Sequence, residues 1–348
     1  MKTEVISTLS QQENGTTRGG DLIREGELVA FPTETVYGLG ANGLDSGAVL
    51  KIFEAKGRPA DNPLILHISK KSDVKDLWMR VPKLAPVLMD TFWPGPLTLI
   101  AQRSSIVPDE VTAGLDSVAV RMPLSKTARM LIQKAGVPIA APSANLSGKP
   151  SPTNAQDVLL DMQGRIPLIL DGGPSKYGVE STVLSLVGKP TILRPGAVTR
   201  EMLESVIGPV EVAASILSPM KPGEVVASPG MKYKHYAPNA EVIIVRGSPE
   251  ATARKIKALY HSYKLQEKRC EIVATEETKK FYNNGESYVI LGRRDHPETL
   301  CANLFSTLRD MDTRADLILA EAIPAEEIGL AFMNRLLRAA GFHVIDAE

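Results

Sequence analysis

Lys56 and Arg58 flank Gly57 and lead through Pro59 to Asn62-Pro63-Leu64 and then His67. Guanidinium grips phosphate or carboxylate oxygens with paired donors, whereas ammonium acts as a compact point charge. The two together are suited to holding a polyphosphate beside a second anion. Further along, Ala141-Pro-Ser143-Ala-Asn145 opens a loop containing Ser147, Gly148 and Ser151, and supplies uncharged donors for phosphate oxygens. Arg121 ends the apolar run Ser117–Met122, where it could bind a substrate carboxylate. Glu180-Ser181-Thr182 precedes an apolar run and Arg194-Pro-Gly196 ends another. Each motif has a bland counterpart: a basic helix end is often a solvated C-cap, and Ser-x-Asn-x-Ser-Gly is ordinary turn chemistry. Only in combination do they describe a pocket.

The elements that must position these residues fall into two organisations. Residues 1–20, with Gln11-Gln-Glu-Asn-Gly-Thr-Thr17 and Gly19-Gly20, read as a flexible lead-in. From 21 to 212 the pattern is irregular. Strands are expected at 28–31, 64–68, 97–101, 138–141, 167–170 and 182–187. A helix is expected at 45–56, N-capped by Asp45 or Ser46 and stopped by Gly57, and another at 125–135, stopped by Gly136 and Pro138. Consecutive strands interrupt the βαβ alternation, so a mixed sheet follows. Residues 213–239 form a Pro/Gly-rich linker in which Lys232, Tyr233, Lys234, His235 and Tyr236 cluster. From 240 to 348 short apolar strands at 241–245, 270–274, 288–291 and 316–320 alternate with helical stretches at 249–266, 276–283, 297–313 and 325–340. That repetition predicts a smaller, Rossmann-like α/β domain with a parallel sheet.

The chain has 348 residues, 43% of them hydrophobic and 23% charged, enough for two ordinary globular cores. Its 40 basic and 40 acidic side chains cancel, which gives no support to a role resting on non-specific nucleic-acid attraction. The two cysteines, Cys270 and Cys301, and five scattered histidines show no metal-ligand spacing, so neither zinc nor an organic cofactor is expected. The polar N-terminus lacks a signal-peptide core and no apolar run would span a bilayer, which makes the cytoplasm the expected setting. Gly38-Leu-Gly-Ala-Asn-Gly43 matches a dinucleotide fingerprint, but Pro32-Thr-Glu-Thr-Val-Tyr37 separates it from the preceding strand. The Gly-Lys-Pro strings at 148–150 and 188–190 lack the upstream glycine of a P-loop.

Taken in order, Pro32-Thr-Glu-Thr-Val-Tyr-Gly-Leu39, Lys56-x-Arg58-Pro, Asn62-Pro-Leu, Trp93-Pro-Gly-Pro-Leu-Thr98, Arg121-Met-Pro, Pro142-Ser-Ala-Asn145-Leu-Ser-Gly and Glu180-Ser-Thr-Val183 resemble the YrdC/Sua5 family. Ser228-Pro-Gly-Met-Lys-Tyr-Lys-His-Tyr-Ala-Pro238 resembles its longer, two-domain Sua5 branch. The resemblance implies a YrdC-like twisted mixed sheet followed by the Rossmann-like domain. It also implies L-threonylcarbamoyladenylate synthesis from ATP, L-threonine and bicarbonate or CO₂, for the N6-threonylcarbamoyladenosine at position 37 of tRNAs reading codons that begin with A. A separate tRNA threonylcarbamoyl transferase complex would take the product. By the same resemblance Lys56, Arg58, Ser143 and Asn145 are catalytic, and Thr35, His67, Arg121, Ala141 and Ser181 contact threonine. Arg58, Asn62, Ser117, Ser143, Ser151, Arg194 and Tyr236 would contact ATP. The chemistry calls for Mg²⁺ on the phosphates, with no ligand evident in the sequence, and the Tyr-Lys-His-Tyr linker would act as a lid. A double-stranded RNA-binding or ribosome-associated role is the alternative, with weak RNA binding as a secondary expectation. Carbamoyl-phosphate chemistry of the hydrogenase-maturation kind would need acylphosphatase and zinc-finger segments that this sequence does not contain.

Overall fold

The computed structural model describes residues 2–219 and 236–347. Within these, two compact units separate: one built from residues 2–147 and 151–216, the other from 148–150, 217–219 and 236–347. Lys232, Tyr233, Lys234 and His235, the core of the expected lid, lie outside the described residues.

The first unit is an eleven-stranded sheet with strands β1 (Glu4–Ser7), β2 (Val29–Phe31), β3 (Gly38–Asn42), β4 (Ile65–His67), β5 (Leu97–Gln102), β6 (Ser117–Arg121), β7 (Ile139–Ala140), β8 (Leu168–Asp171), β9 (Thr182–Ser185), β10 (Thr191–Arg194) and β11 (Glu211–Val212). Their spatial order is β1-β8-β2-β3-β7-β4-β6-β5-β9-β10-β11. Parallel pairs such as β4 with β6 and β5 with β9 alternate with antiparallel pairs such as β5 with β6, so the sheet is mixed as expected. The supposed dinucleotide glycines are strand residues of β3. A Cβ on Gly40 would stand 2.8 Å from the Phe31 ring and 2.7 Å from the Ile139 side chain, so glycine serves packing there.

The N-terminus requires a correction. Residues 1–20 are not a loose lead-in: β1 pairs with β8, and the helix Gln12–Arg24 begins within them. Its glycines, which suggested flexibility, permit close approach to the helix Lys126–Ala135. A Cβ on Gly20 would meet the Lys134 Cβ at 2.7 Å and its carbonyl carbon at 2.8 Å; one on Gly19 would meet Leu131 at 2.7 Å. The two helices bury Ile23, Leu131 and Ile132 against Val29, Phe31, Ile139 and Leu168.

Farther along the same sheet the face has a different character. Because side chains alternate along a strand, Ser117, Ala119 and Arg121 of β6 share one side. The registers place Ile65 and His67 of β4, Thr98 and Ile100 of β5 and Val183 of β9 on that side. Ile65, Ile100, Ala119 and Val183 form a small apolar floor, with Leu193 packed on it.

The second unit contains β12 (Glu241–Arg246), β13 (Cys270–Thr275), β14 (Tyr288–Gly292), β15 (Leu317–Glu321) and β16 (Val344–Asp346), ordered β14-β13-β15-β12-β16 with every pair parallel. The helix Pro249–Lys264 covers one face, over Ile243, Val245, Ile272 and Leu319. The helices Pro297–Asp312 and Gly329–Ala339 pack together on the other. A helix at 276–283 does not form; a single 3₁₀ turn, Lys279–Phe281, replaces it. Thr275 and Thr278 instead direct their hydroxyls to the buried Glu321 carboxylate, and the Thr278 hydroxyl also bonds the Thr275 carbonyl, the local competition that disfavours threonine in helices.

Gly20→Leu should overpack the helix contact and lower stability by about 1–3 kcal/mol, measured by urea unfolding; a change within error would show that the two helices tolerate separation.

Candidate functional site

Arg121, the last residue of β6, is buried and anchored on three sides. Its Nε donates to the Gly95 carbonyl at 3.3 Å, Nη1 to the Thr35 hydroxyl at 2.9 Å and Nη2 to Glu34 Oε1 at 2.5 Å. A guanidinium has five N–H donors, so two remain for an anion. Glu34 Oε2 accepts from the amides of Leu124 and Ser125 at 3.0 and 3.3 Å. Burial alone would raise the Glu34 carboxyl pKa, but the Arg121 guanidinium and the backbone amides outweigh it and hold the group below the usual carboxylate range. The Pro32–Val36 loop is thereby tied to the turn after β6.

His67 faces the same space, opposite Arg121 in the β4–β6 register. Its Nδ1 lies 3.1 Å from the Ile65 carbonyl, which can only accept a hydrogen bond and so fixes Nδ1 as the donor. Burial, reinforced by the Arg121 charge, pushes its pKa down to about 3. The ring is therefore neutral, with Nε2 left as a hydrogen-bond acceptor. Thr98, paired with Arg121 on its other side, exchanges a 2.8 Å hydrogen bond with the Ser181 hydroxyl. Arg194, at the end of β10, holds Ser181 through both its carbonyl (3.0 Å) and its hydroxyl (3.1 Å). Ala141 donates its amide to the Ile65 carbonyl at 3.0 Å. His67, Arg121, Thr98, Ser181 and Arg194 thus form a continuous polar row across β4, β6, β5, β9 and β10.

Lys56 ends the helix Ser46–Lys56, which Asp45 caps through the amides of Gly47 and Ala48. Gly57, at φ 61°, turns the chain with a left-handed conformation that glycine adopts without steric cost. The Lys56 ammonium is not at a solvated helix end. It is 3% exposed and donates to the carbonyls of Ser143 (2.5 Å) and Asn145 (2.6 Å), with Asn145 Oδ1 at 3.5 Å. The Ser143 hydroxyl also turns to Asn145 Oδ1, so the three residues make one cluster. Arg58 leaves the helix beside Phe53, its guanidinium 5.8 Å from the ring, and donates to the Asn62 carbonyl at 3.3 Å. Asn62 is wholly buried, yet neither atom of its side-chain amide has a hydrogen-bond partner among the described residues. Such an orphaned amide calls for a ligand or water.

Ser151 donates to Glu180 at 2.5 Å. Ser117 lies at the other end of β6 from Arg121, about 13 Å away at strand rise. Tyr236, expected at ATP, is packed within the second unit: its ring stacks on Phe305 at 5.0 Å and lies 5.9 Å from the Arg335 guanidinium. Glu34 and Thr98 were not singled out from the sequence, although both sit inside motifs that were, Pro-Thr-Glu-Thr and Pro-Leu-Thr. Among the described residues no group of three or more His, Cys, Asp or Glu is placed to hold a metal ion, and no helix is long and apolar enough to cross a membrane.

Residues 21–196 match the Sua5_yciO_yrdC family, described as "Telomere recombination". The chain belongs to this family. Residues 198–341 match the Sua5_C family, described as "Threonylcarbamoyl-AMP synthase, C-terminal domain", which makes it the two-domain Sua5 type. The chain is 49% identical to the threonylcarbamoyl-AMP synthase of Bacillus subtilis, across 98% of this chain and 97% of that protein. It is 48% identical to the synthase of Pyrococcus abyssi, across 93% of each. The crystal structure of P. abyssi Sua5 complexed with L-threonine superposes with a TM-score of 0.92 at 45% identity, over 99% of both chains.

His67 carries a pH signature. Between pH 6.5, its ordinary value, and about 3, the unfolded chain binds a proton that the fold excludes. The contribution is intact above pH 6.5 and is lost as pH falls toward 3, at up to about 1.4 kcal/mol per pH unit. Urea unfolding between pH 7 and 4.5 should therefore show a gentler loss of stability for His67→Gln than for wild type, and equal slopes would contradict the neutral buried ring.

Proposed function

We propose that the chain is a threonylcarbamoyl-AMP synthase that converts ATP, L-threonine and bicarbonate or CO₂ into threonylcarbamoyl-AMP and pyrophosphate, with water also released when bicarbonate is the source. The observation that carries this function is the Arg121 cradle: a buried guanidinium, held by Glu34, Thr35 and Gly95, with two donors left and a neutral histidine beside it. That is a site for an amino-acid carboxylate. Nearby, Nε2 of His67 and the Thr98–Ser181 hydroxyl pair offer hydrogen bonds to the amine and hydroxyl of threonine. Confinement beside the Arg121 charge disfavours a second cation there and so assists the neutral amine that must attack CO₂.

The nucleotide is assigned to a second set of residues. Arg58, Asn62, Ser143, Ser151, Arg194 and Ser117 would contact ATP, with the apolar floor of Ile65, Ile100, Ala119 and Val183 available to its adenosine. The orphaned Asn62 amide supports this placement. In the reaction the threonine nitrogen forms a bond to carbon and releases a proton. A carbamate oxygen then attacks the α-phosphorus, and the bond to the β-phosphate oxygen breaks to release pyrophosphate, which is nucleotidyl transfer. Orientation and charge dominate such a barrier. Lys56 contributes by holding the Ser143–Asn145 loop and, with Arg58, by its positive field. ATP enters as its Mg²⁺ complex, so the ion comes with the substrate. The product would pass, in the cytoplasm, to a separate transferase that modifies adenosine 37 of tRNAs reading codons that begin with A.

Pyrophosphate release, with each of threonine, bicarbonate and ATP omitted in turn, should require all three; full-rate release without threonine would remove the proposed substrate. Arg121→Ala should raise the KM for threonine roughly 100-fold while moving the KM for ATP little, given the strength of charge-assisted hydrogen bonds. Lys56→Ala should instead lower kcat by roughly 100-fold, with the fold checked by its melting curve.

A further inference from the structure

The second unit holds a cavity of about 950 Å³ whose lining, among the described residues, belongs to that unit. It opens at the carboxyl ends of the parallel strands. Arg246 and Gly247 follow β12, Ala322 to Ala325 follow β15, and Arg294 and Asp295 follow β14. Its wall is apolar, with Met333, Leu337, Phe342 and Val344 prominent. Its size lies in the range of small-molecule sites, roughly 300–1,000 Å³.

Its place in the topology matters. From β12 the chain runs toward β13 over one face of the sheet; from the neighbouring β15 it runs the opposite way toward β16 over the other face. Adjacent strands whose connections diverge in this way leave a crevice between their carboxyl ends, the usual ligand position in open α/β sheets. The sixteen-residue helix Pro249–Lys264 starts at this crevice, since Gly247 and Pro249 both line it.

The charges are selective. Arg246 gives Nε and Nη2 to Asp346 at 2.7 and 3.2 Å, and its Nη1 has no partner among the described residues. Arg294 gives Nη1 to Glu321 at 3.2 Å and Nη2 to the Ala322 carbonyl at 2.7 Å, leaving Nε and two further protons unspent among the described residues. Asp295, the acidic group of the lining, is paired with Arg293 at 2.6 Å. Each arginine has a carboxylate partner, so what it leaves over is guanidinium N–H donors, and the wall behind them is apolar.

We propose that this crevice binds a small amphipathic anion, an apolar body about the size of a nucleoside carrying one phosphate or carboxylate. Its anionic group meets Arg246 and Arg294 at the strand ends, and its body lies against Met333, Leu337 and Phe342. This site is separate from the residues assigned to threonine and ATP, and it stands whether or not that assignment holds.

The test uses the full chain and the fluorescence of anilinonaphthalene sulfonate, an aromatic sulfonate of this description. Titration should reveal a site that Arg246→Ala weakens about tenfold, that Arg246→Lys partly restores, and that Ala325→Trp blocks by plugging the exposed rim. Arg121→Ala should leave that site unchanged. Displacement by AMP and by octanoate distinguishes a phosphate on a heterocycle from a carboxylate on an aliphatic chain; displacement by either supports the proposal. Equal affinity in wild type, Arg246→Ala and Ala325→Trp would overturn it. So would loss of the signal in Arg121→Ala alone, or inorganic phosphate displacing the dye as well as AMP and octanoate do.

Discussion

The ion pair between Glu34 and Arg121 is the constraint on which the first unit's polar row depends. Taking both charges out of water costs several kcal/mol per ion, and that cost is offset only when geometry and extra hydrogen bonds are good. Here the carboxylate takes the guanidinium at 2.5 Å and two backbone amides besides, while the guanidinium is also held by Thr35 and Gly95. The network fixes the Pro32–Val36 loop against the turn after β6. It also sets the protonation of its neighbour, since the Arg121 charge adds to burial in keeping His67 neutral.

A second buried cation does equivalent work elsewhere in the first unit. The carbonyls of Ser143 and Asn145 converge, and convergent carbonyl dipoles repel unless a donor lies between them; the Lys56 ammonium is that donor. Each of these two loops is therefore held by a cation from a distant element, Arg121 for one and Lys56 for the other. Around Arg121 the sheet register sets the neighbours, because β4, β6 and β5 carry His67, Arg121 and Thr98 side by side.

Much of the fold was legible where local chemistry was unambiguous. The Asp45 cap and Gly57 stop bound one helix, and Ser125 and Gly136 bound another at the expected positions. The regular strands of the second unit emerged from their apolar runs, although the edge strand β16, short and half exposed, did not. Failures came where one residue type serves two ends. Glycine signals both flexibility and close packing, so Gly19 and Gly20 disguised a helix and Gly40 a strand. Thr275 and Thr278 look compatible with a helix until Glu321, distant in sequence, takes their hydroxyls.

The sequence by itself determined which chemical groups are present and, through their ordered motifs, the family: two cations around Gly57, Arg121 closing a strand, Ser143 and Asn145 in one loop. Only the tertiary structure decided which donors remain available to a ligand. Arg121 finds Thr35 and Glu34 at separations of 86 and 87 residues, and Lys56 finds Ser143 and Asn145 at 87 and 89. Hydrogen-bond saturation is a property of such long-range neighbours. A lysine that reads as a free charge at a helix end can thus become a loop clasp, while an arginine in a strand keeps two protons that its described neighbours do not take.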